Sequence, residues 1–428
     1  LKIRAGYGTT GNSNIDSYNW AFQYGTGNRY LYSINGSDTE VYQGFGVTNL
    51  GDIEAKWETS KMFNAGFDIT AFNQRLTANF DYYIKKTSDM LIDANWSALA
   101  GAADKPKVNI GDMTNKGVDL NITWNDKIGE VGYSVGVNLS HYKNRLDEIG
   151  TDAGIFTGTR ISNMNVLMKG HAIGEFHGYQ LDGIYKSEEE VRNYKNDAGG
   201  TVLPYGTSDA STLNAANYVG QFKVKDVNND GKIDADDRTI IGNGATPKCT
   251  FGVNLGGAYK GFDFSVMIYT KQGQWARSYF HDKYMKWSDR GNQHMAMDFY
   301  IPKGAPVIDH TTGDIVYATE THYGEYPYPN NSDTSAGGYF SDKGSAKGEG
   351  FQYQKTSFVK VKNICLGYTF PKKWITKAGL QHLRLYINVL NPFCFTDYDG
   401  FDPEWANAKL TDGGPASVTY QIGANIKF

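Results

Sequence analysis

Of 428 residues only 11 are proline and three are cysteine: Cys249, Cys365 and Cys394. Three scattered thiols make neither a disulfide framework nor a paired CxxC metal site, so small apolar roles, buried or facing lipid, are expected of them. No basic excess exists either: 42 Lys and Arg stand against 46 Asp and Glu, and the densest basic stretch is the short run Lys372 to Lys377. Without a face that could neutralise phosphates, a nucleic-acid partner is excluded. No apolar run reaches the about 18 residues of a membrane-crossing helix. A barrel is untouched by that absence, because its strands carry apolar residues on alternate positions, and the mean hydropathy of -0.50 is compatible with it. Catalytic signatures are missing as well. GxSxG, a P-loop and GxGxxG do not occur in strand-turn-helix settings, the eight histidines lack HExxH spacing, and Glu188-Glu189-Glu190 reads as a solvated charge run. No enzyme is expected.

What the chain does have is 30 Tyr, 22 Phe, 8 Trp and 50 Gly, a balance that favours strands and turns. The last residues state the pattern. Val418, Tyr420, Ile422, Ala424, Ile426 and Phe428 alternate with Thr419, Gln421, Gly423, Asn425 and Lys427. The same period of two returns along the chain, for example at Phe63-Ala65-Phe67-Ile69, Val118-Leu120-Ile122-Trp124, Phe262-Phe264-Val266-Ile268 and Leu383-Leu385-Ile387-Val389. Each run is about ten residues, enough for a tilted strand to cross a bilayer. About ten such strands are predicted in all, beginning at Leu1 to Thr10.

Their connections alternate strictly between short (72–74, 125–130, 260–261, 371–381) and long (11–56, 88–114, 144–248, 273–355, 395–417). Outer-membrane barrels have short periplasmic turns and long extracellular loops, so the whole of 1–428 reads as an all-β, antiparallel transmembrane barrel region whose last residue lies on the periplasmic side. A soluble β-sandwich alternates in the same way, yet has no reason to segregate its long loops to one end. Since the first residues already read as a strand, the expectation is the C-terminal portion of a barrel of about 22 strands with its plug upstream. Polar positions on the strands, namely Asp68, Asp81, Asp119, Asn121, Asn388 and Asn425, are expected to line the lumen, because charge facing lipid is costly.

Several stretches resemble the SusC/RagA family of TonB-dependent transporters: LKIRAGYGTTGN at 1–12, KWETSKMFNAGFDI at 56–69, RLTANFDYYIKKTSDML at 75–91 and NKGVDL at 115–120. VKDVNNDGKIDADDRTIIGN at 224–243, YKGFDFSV at 259–266, LRLYINVLN at 383–391 and GFDPEW at 400–405 continue the likeness in order. The resemblance implies a plugged outer-membrane barrel that imports glycans or peptides, energised through TonB acting on an N-terminal plug region. It also implies a SusD-like lipoprotein lid. A terminal aromatic read by the barrel-assembly machinery is implied too, here Phe428, which is otherwise a residue of the interfacial girdle. A passive porin or a surface adhesin is the alternative that needs no energy coupling.

Two local features bear on sites. Asp226, Asn228, Asp230, the Lys232 carbonyl, Asp234 and Asp237 fall on the oxygen-donor positions of an EF-hand-like calcium loop, with Gly231 at its turn. Its last position is Asp rather than Glu, and an acidic turn held by Asx hydrogen bonds would read the same. On the fourth long connection, Trp275, Tyr279 and Trp287 are candidate stacking residues for substrate, followed by Tyr284, Phe299, Tyr323, Tyr326, Tyr328, Tyr339 and Phe340. Packing within the loop is the competing role for each, and for Trp96. No organic cofactor is expected.

Overall fold

The computed structural model describes residues 1–13, 18–33, 36, 42–93, 103–104, 107–150, 155–157, 165–204, 206–278, 280–281, 298–309, 311–326, 353–406 and 416–428. Ten strands form one sheet: β1 Lys2–Asn12, β2 Glu58–Ala71, β3 Leu76–Asp93, β4 Lys107–Ile128, β5 Val131–Glu148, β6 Cys249–Tyr259, β7 Phe262–Gln272, β8 Phe358–Thr369, β9 His382–Thr396 and β10 Thr419–Lys427. Their order in the sheet is their order in the chain. Each follows from a stretch of alternation, and among the described residues no helix is long and apolar enough to cross a membrane. The chain divides into two compact units, one of Leu1–Asp126, Ser134–Phe156 and Val166–Ile173, the other of Lys127–Tyr133, Thr157–Asn165 and Gly174–Phe428.

In the first unit the register sorts side chains onto two faces. Ile3, Phe67, Phe80 and Leu120 form one cross-strand row, and Ala5, Ala65, Tyr82 and Val118 another. The rows that alternate with them are Lys2, Asp68, Asn79 and Asn121, and Arg4, Gly66, Asp81 and Asp119. Successive strand residues point to opposite sides, so the apolar rows share one face and the charged rows the other. In the second unit Phe264, Leu366, Ile387 and Ile422 alternate in the same way with Ser265, Cys365, Asn388 and Gln421. Here the apolar face is bare: Leu366 is 54% exposed and Ile422 85%. A sandwich would cover that face with a second sheet; none covers it among the described residues. Exposed aliphatic and aromatic rows opposite a charged face are what strands bathed in hydrocarbon require.

Short connections join strands at one end. Phe72, Asn73 and Gln74 all take positive φ in the first of them. Lys260 and Gly261, both at positive φ, make the two-residue turn between β6 and β7. A Cβ on Gly261 would stand 2.7 Å from the Thr369 carbonyl oxygen, so only glycine fits. Pro371 and the one-turn helix α2, Lys372–Ile375, begin the longer connection to β9. Lys427 lies opposite His382 at this same end, which therefore also carries Phe428.

The other end departs from expectation. The long connection expected over 88–114 starts only after Asp93 and ends before Lys107, because β3 and β4 continue for 18 and 22 residues. At ~3.3 Å per residue β4 is about 70 Å long, well beyond a bilayer. Met90, Leu146 and Ile149 explain the excess: they bury one another, with Ile110, Met113 and Leu167 around them, so the protruding strands have a core of their own. Within 11–56 a hairpin of Gln23–Tyr32 and Tyr42–Asn49 forms. In the second unit, the connection 174–248 is a folded body. Tyr179, Ile184, Val202, Phe222, Val224 and Ile233 are buried together, joined by Phe299 and Tyr300 from the next long connection. Helix α1, Glu188–Asn193, begins on Ser187, whose hydroxyl accepts from the Glu190 N–H.

Candidate functional site

The polar face of the first unit is organised by one guanidinium. Arg4 donates from Nε and Nη2 to Asp68 at 3.1 and 3.0 Å, and from Nη1 and Nη2 to Asp81 at 2.8 Å each. Asn64 adds a donor to Asp81 at 3.2 Å. Asp119 stands across from Asp81 in register and Asn121 across from Asn79, so the four positions expected to line the lumen share this face. In the second unit Arg384 reaches from β9 over Gly367 of β8 to Asp263 of β7, at 2.9 Å from Nε and 2.5 Å from Nη2. A Cβ on Gly367 would sit 2.4 Å from that guanidinium. Asn388 donates to Gln421 at 2.9 Å, and Asn425 lies opposite Arg384. Cys365, expected buried or on lipid, lies instead on this polar face, 3.7 Å from Arg384 Nη2, because it falls in register with Ser265 and Asn388. In each unit these rows make a face studded with fixed charge pairs and amides, able to offer hydrogen bonds to a hydrated solute.

At the long-connection end of the second unit, two polar clusters hold the last connection, both around the GFDPEW stretch. Lys360, near the start of β8, is 2% exposed, and its ammonium donates to both oxygens of Asp402 at 2.6 and 2.7 Å and to Glu404 at 2.8 Å. Lys362 donates to the same Glu404 at 2.5 Å. Burial raises the Glu404 carboxyl, but Lys360 and then Lys362 overcome this and hold it below the usual range. A few residues earlier Asp399 takes His281 Nε2 at 2.8 Å and the Tyr326 hydroxyl. His281 Nδ1 lies 2.6 Å from Ser278 Oγ, itself 2.7 Å from the Tyr398 hydroxyl. Burial raises Asp399 too, yet the His281 ring brings it down, while burial pushes the Tyr398 phenol up to about 12. Serine, histidine and aspartate in line suggest nucleophilic chemistry, but Ser278 is fully buried and already bonded to Tyr398. The cluster ties three stretches of chain together and offers no oxygen to a substrate. Neither cluster follows from the sequence; the only signal was the GFDPEW stretch itself.

Of the expected stacking residues, Trp275 is half-buried. It packs against Phe176 and Tyr353, and a Cβ on Gly242 would stand 2.5 Å from its ring. Phe299 is buried in the core and Tyr326 belongs to the Asp399 cluster, whereas Tyr323 is exposed. Tyr279, Trp287, Tyr284, Tyr328, Tyr339, Phe340 and Trp96 lie outside the described residues. Open aromatic surface is present in the first unit as well, where Trp20, Phe22, Tyr24 and Phe45 are exposed on and beside the hairpin. Phe428 is exposed at the end of the last strand.

The acidic loop is well formed. Asp226 Oδ2 accepts from the Gly231 N–H at 2.9 Å and from Asn196 Nδ2 at 2.8 Å. Asn228, Asp230 and Asp234 each cap the backbone N–H two residues on, at 3.0, 2.9 and 2.9 Å. Asp237 is buried with its oxygens on the N–H groups of Val227 and Asp234, and burial pushes its carboxyl up. These two contacts tie the end of the loop back to its start. The Lys232 side chain is exposed; only its carbonyl was expected to serve.

Residues 1–230 match a family model described as TonB dependent receptor-like, beta-barrel. The chain is 29% identical over 445 residues to TonB-dependent receptor P3 of Formosa agariphila, matching along its whole length and covering 39% of that protein. It is 24% identical over 437 residues to TonB-dependent receptor SusC of Bacteroides thetaiotaomicron, covering 37% of it. Among solved structures it resembles the RagAB peptide transporter, with a TM-score of 0.62 and 22% identity over the whole chain and 40% of that one. The chain thus spans about two fifths of the length of the relatives it matches.

Proposed function

The chain belongs to the TonB-dependent receptor-like β-barrel family, transporters integral to the outer membrane rather than enzymes, and from that premise we propose that it forms pore wall and outer loops of an active nutrient importer. The cargo in this reading is a glycan or peptide, delivered under a SusD-like lipoprotein lid and drawn through when TonB acts on a plug. The relatives named SusC and RagAB support it at family level. One observation carries it: in each unit the cross-strand rows alternate between a polar face and an apolar one, with Arg4, Asp68, Asp81, Asp263 and Arg384 held in place on the polar side. A hydrophilic wall of fixed polar groups suits passage of a hydrated, hydrogen-bonding solute. Substrate recognition is assigned to the long connections, with Trp275, Tyr279 and Trp287 as candidates and the exposed hairpin aromatics of the first unit as a further set.

Uptake of labelled oligosaccharides and oligopeptides by cells carrying or lacking the full-length gene, with and without functional TonB, tests this reading. Uptake of one class should vanish on deletion of the gene, on loss of TonB and on loss of the lid lipoprotein. Uptake persisting without TonB would make the protein a passive porin; unaltered uptake with lost surface attachment would make it an adhesin.

A further inference from the structure

We propose that the loop Asp226–Asp237 is a calcium site that fastens the folded body of residues 174–248. Spacing alone would not carry this, since acidic turns are common. The second observation is Asp226 itself. Its side chain is 1% exposed, Oδ2 is committed to Gly231 and Asn196, and Oδ1 is buried with no hydrogen-bond partner. An anionic oxygen withdrawn from water and lacking a donor is the arrangement that a bound cation resolves.

The surroundings supply the remaining donors. Asn228, Asp230 and Asp234 lie at the third, fifth and ninth positions, are exposed, and use one oxygen each on the backbone, which leaves the second oxygen of Asp230 and of Asp234 for a metal. Asn229 and Gly231 take positive φ, 62° and 85°, which turns the chain sharply around this point. The loop is anchored on both sides. Ile233 is buried in the core with Tyr179 and Val202, and the Leu203 N–H donates to the Gly231 carbonyl at 2.9 Å. Among the described residues no three carboxylate, imidazole or thiol groups yet close on one point, so uptake requires Asp230 and Asp234 to rotate inward. Both side chains are exposed, and the oxygen that would turn inward is the one that does not take the Lys232 or Asp236 N–H. Asp237 stays on its two backbone donors, leaving Asp226, Asn228, Asp230, the Lys232 carbonyl and Asp234, with water completing the shell.

Oxygen donors of mixed kind on a pliable loop favour calcium over magnesium, which demands a stricter octahedron, and over zinc, which takes nitrogen and sulfur. The test is calcium titration of the chelator-treated full-length protein by isothermal calorimetry, with hydrogen exchange read over 194–237. One calcium per chain and at least tenfold slower exchange in this stretch are expected, both absent in Asp230→Ala. Because Asp230 is exposed, that variant keeps the fold even if Asp226→Asn does not. Absence of stoichiometric calcium uptake, equal uptake by Asp230→Ala, or displacement of calcium by equimolar magnesium would overturn the proposal.

Discussion

Lys360→Met isolates the contribution of the buried ion cluster. In the native protein one ammonium at 2% exposure serves three carboxylate oxygens within 2.8 Å, and Asp402 is equally enclosed, its side chain 4% exposed. Methionine fills nearly the same volume, so packing is kept and only the charge is lost. Asp402 then remains buried without a counter-ion, while Glu404 still has Lys362 at 2.5 Å. Breaking a buried pair from one side costs about 3–5 kcal/mol, whereas replacing both partners with apolar groups is often near neutral. The cost falls on the stretch that Asp402 anchors, so residues 397–406 should open more readily while the strands hold. At about 1.4 kcal/mol per tenfold, hydrogen exchange of those amides should quicken by roughly 10²- to 10³-fold or more. The double variant Lys360→Met/Asp402→Leu should return most of the protection, a non-additivity that a cycle measures directly. Exchange unchanged in the single variant, or effects that add in the double, would show that Lys360 does not anchor this stretch through Asp402.

Three further outcomes follow from named groups. Glu404 and Asp399 are both held below the ordinary carboxylate range, so their contribution is complete above the unfolded values of about 4 and is lost as pH falls through the lower folded ones. Exchange over 397–406 should therefore be flat from neutral pH down to about 5 and rise only in stronger acid; a rise centred near neutrality would contradict this. Gly367→Ala puts a carbon 2.4 Å from the Arg384 guanidinium and should displace it from Asp263, giving the same fall in substrate uptake as Arg384→Ala; a Gly367→Ala protein with native uptake would remove Arg384 from the wall. Ile387→Arg places charge on the bare face at a cost of ~2–4 kcal/mol near the bilayer centre and should impair heat-resistant assembly, which its neighbour Asn388→Arg should leave intact.

The strands were legible because lipid imposes a rule at every second position, and that rule survives in Phe262 to Ile268 or Tyr420 to Ile426 without knowledge of any partner strand. Their ends were not, since beyond the bilayer the alternation of Met90 and Leu146 serves a local core instead. Likewise, Cys365 looked apolar in isolation, and only register with Asn388 places it beside Arg384. The clusters on the last connection join residues far apart in sequence, 42 positions for Lys360 and Asp402, a pairing that no local pattern encodes. Trp275 had two readings, and the close approach of Gly242 shows that packing fills at least part of its surface.

Cysteine labelling of the full-length protein in intact outer membranes bears most directly on the claim that these strands form a two-faced pore wall. With Cys249, Cys365 and Cys394 replaced by serine, single cysteines at Asp119, Leu120, Ile387 and Asn388 would be exposed to a small water-soluble maleimide and to a lipid-confined quencher. Positions 119 and 388 should react with the maleimide, while 120 and 387 should be reached only from lipid. Equal aqueous labelling at all four, or the reverse assignment of faces, would contradict it.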